Sequence, residues 1–535
     1  MTMEQAQGGK PIAKWHVGSL EKIFRRSGFF RWPLKRRENS MVRPGLQDPW
    51  RGNAAAGAII LANGIDWNNE AIDGNDFSWI RHLRAHGGGK ARQQTRTLIS
   101  SWLDHNSSWH IQRWRPDVMG ERLTNLAQNY SWYGESASED FQVLLARSIA
   151  MQARCLALDW RRMRALDDRI NGLRGLAVAE AALGASRGDL LSLLDLAVPL
   201  VRALVNEDGG HVSRMPDRHM MLLRRLVELR SAAAFAGVGI EQRLDDFIQK
   251  MGMIGRMWRH GDGKLANFNG AGMINAAHVE EILNRTSTSS KILQQAPKSG
   301  YMRFASGRTT LIVDTGAPVA LDSNADSILS FGTLSFEMSI GNSPLIVNAG
   351  QTAADPKLRH LLCSTSAHST VSIDDQNSSD PNSGRVAKIS GVEVGPATGG
   401  ILATASHDGY ESSHGILHHR KLYLAAGGGN LRGSDELEYT GAPGAIPRYA
   451  ILRFHLHNRV SAAMLGNGQV LMKIKGNKIG WLFKAAGGEF GLDNSVYFDA
   501  GIRHSCQQIV VRAPLSEIRT LGRHELKWAF RRSDS

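Results

Sequence analysis

Residues 332–341 read GTLSFEMSIG, and this stretch carries the clearest secondary-structure signal in the C-terminal half of the chain. Apolar residues occupy every second position from Leu334 to Ile340, and Ser or Glu occupies the positions between them. Successive side chains of a strand point to opposite faces of the sheet, so a period of two indicates a strand. The sequence therefore predicts a strand over Thr333–Ile340, with one apolar and one polar face.

Similar short runs occur before and after this strand in the C-terminal half, and Gly, Asn and Asp are frequent in the segments between them. The runs are Thr309–Val313, Leu345–Val347, Thr370–Ile373, Ile416–Leu424, Ile451–Leu456, Val470–Ile474, Val496–Phe498 and Gln508–Val511. Many short strands with turn signals and no intervening helical pattern are typical of an antiparallel β-sandwich. We expect residues 301–535 to form one.

The pattern before residue 285 is helical instead. Ser136 and Glu139 fit a capping box, and apolar residues at helical spacing follow them. Pro216 suits the first turn of a later helix. Further helices are predicted over Leu166–Leu183, Leu190–Leu204, Met220–Phe235 and Gln242–Met257. Repeated amphipathic helices over residues 49–284 indicate a bundle, a solenoid or an α/α toroid, and the polar, breaker-rich residues 285–300 are predicted to be a linker.

The composition restricts the partners. The 535 residues are 42% hydrophobic and 21% charged, which is ordinary for a globular protein, and the formal net charge is +14. A positive excess favours nucleic acid, anionic lipid or an acidic glycan, or serves only as a solubilising surface. No nucleic-acid-binding module is recognisable, so no nucleic-acid partner is expected. The three cysteines lie far apart, which argues against a zinc ribbon and a disulfide framework, and no cofactor is predicted.

Residues 1–48 form a basic N-terminal segment that lacks the apolar core of a secretory signal. Arg25, Arg26, Phe29, Phe30, Arg31 and Trp32 combine cations with aromatic rings. One interpretation is peripheral contact with a membrane surface, and the other is a flexible basic tail.

Several motifs resemble those of the heparinase II/III-like family of bacterial polysaccharide lyases, and they occur in the family's order. They are DGGHVSRMP (208–216), WRHGDGKLANFNG (258–270), GTLSFEMSIG (332–341), AHSTVSIDDQNSS (367–379), ASHDGY (405–410), LRGSDEL (431–437), RFHLH (453–457) and SVYF (495–498). The resemblance implies a two-domain α+β fold, in which an α/α toroid, an incomplete barrel of helices, precedes an antiparallel β-sandwich. It also implies β-elimination of an acidic, uronate-containing polysaccharide and a place in the cell envelope or periplasm, whereas the lack of a recognisable signal favours the cytoplasm.

Such an elimination removes the proton alpha to a carboxylate, so it requires a base, an acid and a cationic or hydrogen-bonding partner for the carboxylate. The loop around Gly209 and Gly210 precedes the helix at Pro216, and its amides, with His211 and Arg214, would suit an anion. We expect Arg214 to bind glycan charge and His211 to contribute to acid–base catalysis. The alternative is a purely structural turn.

A second candidate cluster lies between two predicted helices. Family lyases use Asn to neutralise the uronate carboxylate and Tyr for proton transfer, and the resemblance assigns these catalytic roles to Asn129 and to Tyr130 or Tyr133. Trp132 and Glu135 lie beside them and are expected to contact substrate. The alternative is that the aromatic residues seal the helix junction.

The remaining candidates are mostly histidines. His219, His368, His407, Arg453 and His455 are expected to bind substrate, although any single histidine among nineteen is more commonly structural.

The chain departs from the family pattern in three places. Arg218 stands where lyases often carry a tyrosine, Ser327–Gly332 lacks the usual histidines, and Asn348 replaces an Asp. Zinc requires about four ligands, so no metal is predicted. A diverged, non-catalytic glycan-binding protein of the cell envelope is the alternative to a lyase.

Overall fold

A computed structural model describes residues 17–27, 30, 41–67, 74–106, 109–239, 242–286, 292–319, 329–352, 355–380, 383–442 and 444–534. The chain divides into two compact units. The first comprises Met1–Leu204 and Met221–Gln249, and the second comprises Val205–Met220 and Lys250–Ser535. The expected order is confirmed, because helices occupy the N-terminal part and antiparallel strands the C-terminal part.

Most α-helices of the described residues precede the strands along the chain. They are α1 (Ser19–Arg26), α2 (Ala54–Asn63), α3 (Trp79–His86), α4 (Gly88–His105), α5 (Pro116–Gln128), α6 (Tyr130–Tyr133), α7 (Glu139–Asp159), α8 (Leu166–Ala182), α9 (Arg187–Leu204), α10 (Pro216–Phe235), α11 (Gln242–Met257) and α12 (Ala276–Leu283). The prediction for α11 matches at both ends. Helix α9 begins about a turn earlier than predicted, because its polar first turn carries no apolar periodicity. Helix α10 begins at Pro216, the residue predicted to lie in its first turn. Among the described residues, no helix is both long and apolar enough to cross a bilayer.

The predicted capping box at Ser136 and Glu139 is wrong. Helix α7 begins at Glu139, its N-cap is Ser138, and no side chain caps it. The Ser136 hydroxyl instead accepts a hydrogen bond from Arg96 Nη2 at 2.7 Å. The helix forms without this cap because its apolar face is buried, including Leu145, Ile149 and Leu156.

The N-terminal segment is not a tail where the structure describes it. Helix α1 is anchored by Arg25, whose guanidinium donates to both carboxylate oxygens of Asp159 at 2.6 Å. Arg25 and Phe30 are fully buried, whereas Leu20, Ile23 and Phe24 on α1 are exposed. The other residues named for membrane contact, apart from Arg26, lie outside the described residues, so membrane contact stays a prediction.

Helices α5 and α8 pack closely in the first unit. A Cβ added to Gly175 of α8 would lie 2.5 Å from Gly120 Cα, and one added to Gly120 would lie 2.8 Å from the Asn171 carbonyl oxygen. A side chain at either glycine would force the two backbones apart. Around this crossing the core includes Met119, Leu123 and Leu173.

Two antiparallel sheets form the second unit. The first contains β1 (Gln295–Ala296), β2 (Tyr301–Ser306), β3 (Thr309–Asp314), β4 (Phe336–Ile340), β5 (Ser343–Val347), β6 (Val371–Ile373), β11 (Tyr449–Leu456), β15 (Glu489–Asp499) and β16 (Ile502–Pro514). The second, which we call the back sheet, has the order β12 (Val460–Met464), β13 (Val470–Ile474), β14 (Trp481–Ala486), β17 (Arg523–Arg532), β10 (Asn430–Tyr439), β9 (Ile416–Ala425), β8 (Gly400–Tyr410) and β7 (Ile389–Ala397). Short helices α13 (Pro356–Leu362), α14 (Glu411–His414) and α15 (Ile518–Leu521) lie in connections.

Inward-facing aromatic residues of the two sheets fill one core. The Phe336 and Trp528 rings stack with centroids 5.6 Å apart, and Phe454 packs edge-on against Trp528 at 4.8 Å. Each buried aromatic removes a large apolar area from water, so this contact is a major source of stability. The predicted β-sandwich is confirmed.

The predicted strand over Thr333–Ile340 is shorter in the structure, because β4 begins at Phe336. Leu334 adopts a positive φ of 58° and belongs to a turn. All five residues of β4 are buried, including Glu337 and Ser339 on the face predicted to be polar. The Glu337 carboxylate can be buried because backbone N–H groups and a histidine bond to it.

The two compact units also divide elsewhere than at the predicted linker, residues 285–300. Residues 205–220 and 250–283 pack with the strands rather than with the other helices. Two contacts illustrate the reason. Arg303 of β2 donates to the carbonyl oxygens of Met257 and Arg259 at 3.2 and 2.9 Å. Strand β1, at Gln295–Ala296, also lies inside the predicted linker.

Candidate functional site

The loop before α10 is fixed by Asp208. Its carboxylate accepts hydrogen bonds from Ser299 N at 2.8 Å, from Ser299 Oγ at 2.6 Å and from Gly210 N at 3.3 Å. A Cβ on Gly210 would lie 1.9 Å from Ser299 Oγ, and Gly209 has a φ of 97°. Both glycines are therefore required for the loop to dock against residue 299.

Arg214 is buried and its guanidinium is committed to internal partners. It donates to the carbonyl oxygens of Ser299, Gly300 and Ala317 at 3.0, 3.1 and 2.7 Å. It also forms an ion pair with Asp314 and lies 5.1 Å from the centroid of the Tyr301 ring. Desolvation lowers the pKa of Arg214, but Asp314 more than compensates and the pKa is raised. These contacts favour the structural alternative for Arg214, and glycan binding by this side chain stays a prediction.

His211 and His219 are also completely buried. His211 Nδ1 accepts the Ser213 backbone N–H at 3.0 Å and contacts Ser213 Oγ at 2.7 Å. His219 Nε2 lies 2.9 Å from the Met251 carbonyl oxygen and therefore carries a proton. Burial lowers the pKa of His219 to about 3, so its ring is neutral at physiological pH. Two imidazoles that hold backbone groups in this way favour a structural role for the loop.

In the first unit, Asn129 and the tyrosines are inside the protein. Asn129 Nδ2 donates to Asp48 Oδ2 at 3.2 Å and to the Asn125 carbonyl oxygen at 2.9 Å. Both amide protons are thus used, and Oδ1 is buried without a partner. Tyr133 Oη donates to the Leu126 carbonyl oxygen at 3.0 Å, and burial raises the pKa of both Tyr133 and Tyr130.

Trp132 and Glu135 differ from their neighbours because they reach the surface. Trp132 is half-buried and Glu135 is exposed. The Tyr130 and Tyr133 rings pack edge to face with centroids 6.1 Å apart, which fits the alternative that these rings seal the helix junction. Trp132 and Glu135 are therefore the members of this cluster that are placed to meet a ligand.

Two of the candidate histidines in the second unit lie around the turn at residues 364–366. His368 Nδ1 bonds the Ser364 carbonyl oxygen at 2.7 Å, and its Nε2 lies 3.1 Å from Ser330 Oγ. His455 Nε2 bonds the Ser366 carbonyl oxygen at 3.0 Å. Burial lowers the pKa of both rings, that of His455 to about 3. The structure thus brings these two together, with both rings bonded to backbone.

His407 and Arg453 belong to two further sites. His407 Nδ1 accepts the Gly409 N–H at 3.0 Å, and its Nε2 lies 3.0 Å from His418 Nδ1. Arg453 donates to Ser372 Oγ at 2.8 Å and to Asp375 Oδ1 at 3.1 Å. His407 is buried, and desolvation together with the neighbouring His418 lowers its pKa well below the usual value.

Sequence reasoning missed two buried carboxylates that organise the second unit. Glu337 accepts the backbone N–H groups of Asn267 and Asn348 at 3.1 and 2.8 Å and pairs with His260 at 3.1 Å. Asp435 bonds His418 at 2.8 Å, together with Arg420 and Trp528. Its inward position was readable, because Asp435 falls in the two-residue register of Leu431 and Leu437. Among the described residues, no group of three His, Cys, Asp or Glu side chains is arranged to hold a metal.

A helical unit followed by a two-sheet antiparallel sandwich is the architecture of heparinase II/III-like proteins. Residues 288–528 match the family model described as Heparinase II/III-like, C-terminal, so the resemblance is confirmed and this region is a heparinase II/III-like C-terminal domain.

Similar proteins extend the match to almost the whole chain. The sequence is 27% identical to FtsZ-localized protein C of Caulobacter vibrioides (strain NA1000 / CB15N), over 98% of this chain and 96% of that protein. Among solved structures, Heparinase III matches with a TM-score of 0.68 at 13% identity, covering 94% of this chain and 89% of the other. A heparan sulfate lyase HepC mutant from Pedobacter heparinus matches with a TM-score of 0.63 at 13% identity, covering 99% and 93%. At this identity the solved structures establish the fold.

Proposed function

We propose that this protein is a diverged, non-catalytic member of the heparinase II/III-like fold that binds an acidic glycan of the cell envelope. The observation that carries the proposal is the burial and bonding of three candidate catalytic groups and of the candidate substrate-binding Arg214. Asn129, Tyr133, His211 and Arg214 are buried, and each is hydrogen-bonded to other parts of the protein.

The chemistry of β-elimination explains why these contacts matter. The base must accept a proton from the substrate, and a cation or amide must face the substrate carboxylate. Tyr133 donates its phenolic proton to a backbone carbonyl and has a raised pKa, which makes it a poor base at neutral pH. Arg214 already neutralises Asp314. Arg218 stands where the lyases that this chain resembles often have a tyrosine.

The relative in Caulobacter adds a cellular setting to the proposal. Its name says that it localises with FtsZ, and we extend that location to this chain. A fluorescent fusion expressed at native level should form a midcell band that coincides with FtsZ. A uniform distribution in dividing cells would contradict this part of the proposal without affecting glycan binding.

A lyase acting on a uronate-containing glycan is the second candidate. The observation in its favour is the Heparinase III fold over 94% of the chain, together with the accessible Trp132 and Glu135. Aromatic faces can stack on sugar rings, so Trp132 is the side chain of the Asn129 cluster best suited to contact substrate.

One experiment separates the two candidates. Purified full-length protein is incubated with heparan sulfate, hyaluronan, alginate and bacterial capsular polysaccharide, and both products and binding are measured. We expect retardation of at least one glycan in affinity electrophoresis, with no rise in the ultraviolet absorbance of unsaturated uronates. Product formation that disappears in Tyr133→Phe but persists in Glu489→Gln, a control at an exposed carboxylate outside both candidate clusters, would establish a lyase. The absence of both product and binding would contradict both candidates.

A further inference from the structure

The solvent-facing side of the back sheet contains a trough. It is a depression of about 790 Å³ formed by strands β9, β10, β14 and β17 and by Gln469 before β13. Successive side chains of these strands alternate between the core and the solvent. On the core side they include Leu422, Leu431, Phe483 and Trp528. The side chains between them point to the other face of the sheet and line the trough, because side chains of a strand alternate with a period of two.

Small residues form the floor of this trough. In the strand register Ala529 of β17 lies between Arg432 of β10 and Lys484 of β14. Two residues earlier along β17, on the same face of the sheet, Lys527 lies between Ser434 of β10 and Ala486 of β14. Neighbouring strands are about 4.8 Å apart, so Arg432 and Lys484 stand roughly 10 Å from each other across Ala529. Long basic side chains thus rise on both sides of a shallow floor.

The charge of the trough has one sign. Sixteen residues line it in the described part of the chain, of which five are Lys or Arg and none is Asp or Glu. These cations are Lys421, Arg432, Lys484, Lys527 and Arg531. Lys527 pairs with Glu525 at 3.0 Å, just outside the lining, whereas no ion pair involves Lys484 or Arg531 among the described residues. Cations gathered in a concave surface attract a polyanion more strongly than the same charges dispersed over a convex one.

The other polar groups suit a sugar polymer. The Tyr423 ring lies at the rim, with the Arg432 guanidinium 5.8 Å from its centroid. Asn430 and Gln469 supply amide groups that can both donate and accept hydrogen bonds. The Ser434 hydroxyl donates to Glu525 Oε1 at 2.6 Å, so it offers the ligand an acceptor. Single-stranded nucleic acid is usually held by several aromatic platforms, and this lining has Tyr423 as its accessible ring, since Trp528 and Phe483 belong to the core.

We propose that this trough is a binding groove for a linear anionic polysaccharide, with Arg432 and Lys484 contacting its carboxylate or sulfate groups. The inference rests on the proposed glycan binding and locates it on the back sheet. It is independent of the loop of residues 208–214 and of the candidate residues between Asn129 and Glu135.

The test compares three forms of the full-length protein with wild type. Arg432→Glu/Lys484→Glu reverses two trough cations. Ala529→Glu keeps both cations but places a carboxylate between them. The matched control, Lys357→Glu/Lys388→Glu, makes the same charge change at two exposed lysines of this unit outside the trough. Thermal unfolding of each form verifies the fold, and titration with size-defined heparin and hyaluronan oligosaccharides measures Kd at low and moderate salt.

We expect both trough variants to weaken binding of at least one oligosaccharide by about tenfold or more, with a shallower salt dependence, because fewer cations displace counterions from the polymer. The control double variant should change Kd less than threefold. If wild type binds and the trough variants bind equally well, the trough assignment is wrong while glycan binding stands. If wild type binds no glycan, both proposals fail. If the variants reduce binding of duplex DNA or anionic lipid vesicles more than of glycan, the assignment to polysaccharide is overturned.

Discussion

At the scale of single residues, burial separates the side chains that hold this protein together from those that can meet a ligand. Arg214, His219 and His455 have the residue types expected of a lyase site, but their polar atoms bond to backbone carbonyls or a buried carboxylate. A buried polar group without its partner is costly, so these contacts favour a structural role, and a role of these residues in substrate binding stays a prediction. The same reasoning leads to predictions about stability.

Replacement of Arg214 should destabilise the protein strongly. Arg214→Ala leaves Asp314 as an unpaired buried carboxylate, and we expect a loss of about 3–5 kcal/mol in the free energy of unfolding. The double variant Arg214→Met/Asp314→Leu removes both charges and should lose less. Urea denaturation measures both. A normal denaturation midpoint for Arg214→Ala, combined with lost glycan binding, would instead support the ligand-binding role predicted from the sequence.

Buried neutral histidines should make the protein sensitive to mild acid. The pKa values of His219 and His455 fall from the ordinary 6.5 to about 3 because burial disfavours the imidazolium ion. The unfolded state therefore binds more protons below pH 6.5. The stability contributed by each ring is complete above that pH and decreases as the pH falls toward 3, at up to about 1.4 kcal/mol per pH unit.

This dependence is measurable as the slope of unfolding free energy against pH between 6 and 4.5. His455→Gln should give a shallower slope than wild type, by about 1.4 kcal/mol per pH unit at the lower end. His86→Gln is the control, because His86 is exposed at the end of α3. Parallel slopes for wild type and His455→Gln would show that His455 does not resist protonation.

At the scale of elements, periodicity predicted which segments form helices and strands, and contacts decided where they begin and approach each other. Helix α11 follows its predicted bounds, whereas β4 starts three residues late because Leu334 turns with a positive φ. The close crossing of α5 and α8 was not predictable, since glycine in a helix carries no periodic signal.

That crossing gives a prediction with an internal control. Gly175→Ala would place a methyl group 2.5 Å from Gly120 Cα, and overpacking of this kind should destabilise the protein by about 1–3 kcal/mol. Gly188→Ala in α9 meets its nearest atom at 3.8 Å, so it should be neutral or stabilising by up to about 1 kcal/mol. Thermal unfolding compares the two. Equal melting temperatures would mean that the helices do not approach as closely as described.

At the scale of the whole molecule, composition gives the sign of the net charge but not where on the surface the charges gather. The net charge of +14 favours a polyanionic partner, and such a partner stays a prediction. Cations that are distant in sequence, such as Lys421, Lys484 and Arg531, line one trough because β17 pairs with both β10 and β14, and β10 pairs with β9. The strand-rich unit likewise includes residues 205–220 and 250–283.

Because the second unit includes segments before residue 301, we can predict which fragments of the chain fold. A fragment of residues 301–535 lacks His260 and Arg214, the partners of buried Glu337 and Asp314. It should show no cooperative thermal transition, whereas residues 205–535 restore these partners and should show one. Circular dichroism during heating distinguishes them. If residues 301–535 unfolded cooperatively at the same temperature as the full chain, the independently folding unit would begin at the predicted linker.

The sequence by itself determined the order of helices and strands, the β-sandwich and the resemblance to heparinase II/III-like proteins, because these depend on local periodicity and on motif order. Only the tertiary structure decided that Glu337 is interior, that Asn129 and Arg214 bond within the protein, and that the outward cations of β9, β10, β14 and β17 share a surface. The physical reason is that a side chain's chemistry is set by its partners and its burial, and strands far apart in the chain supply both.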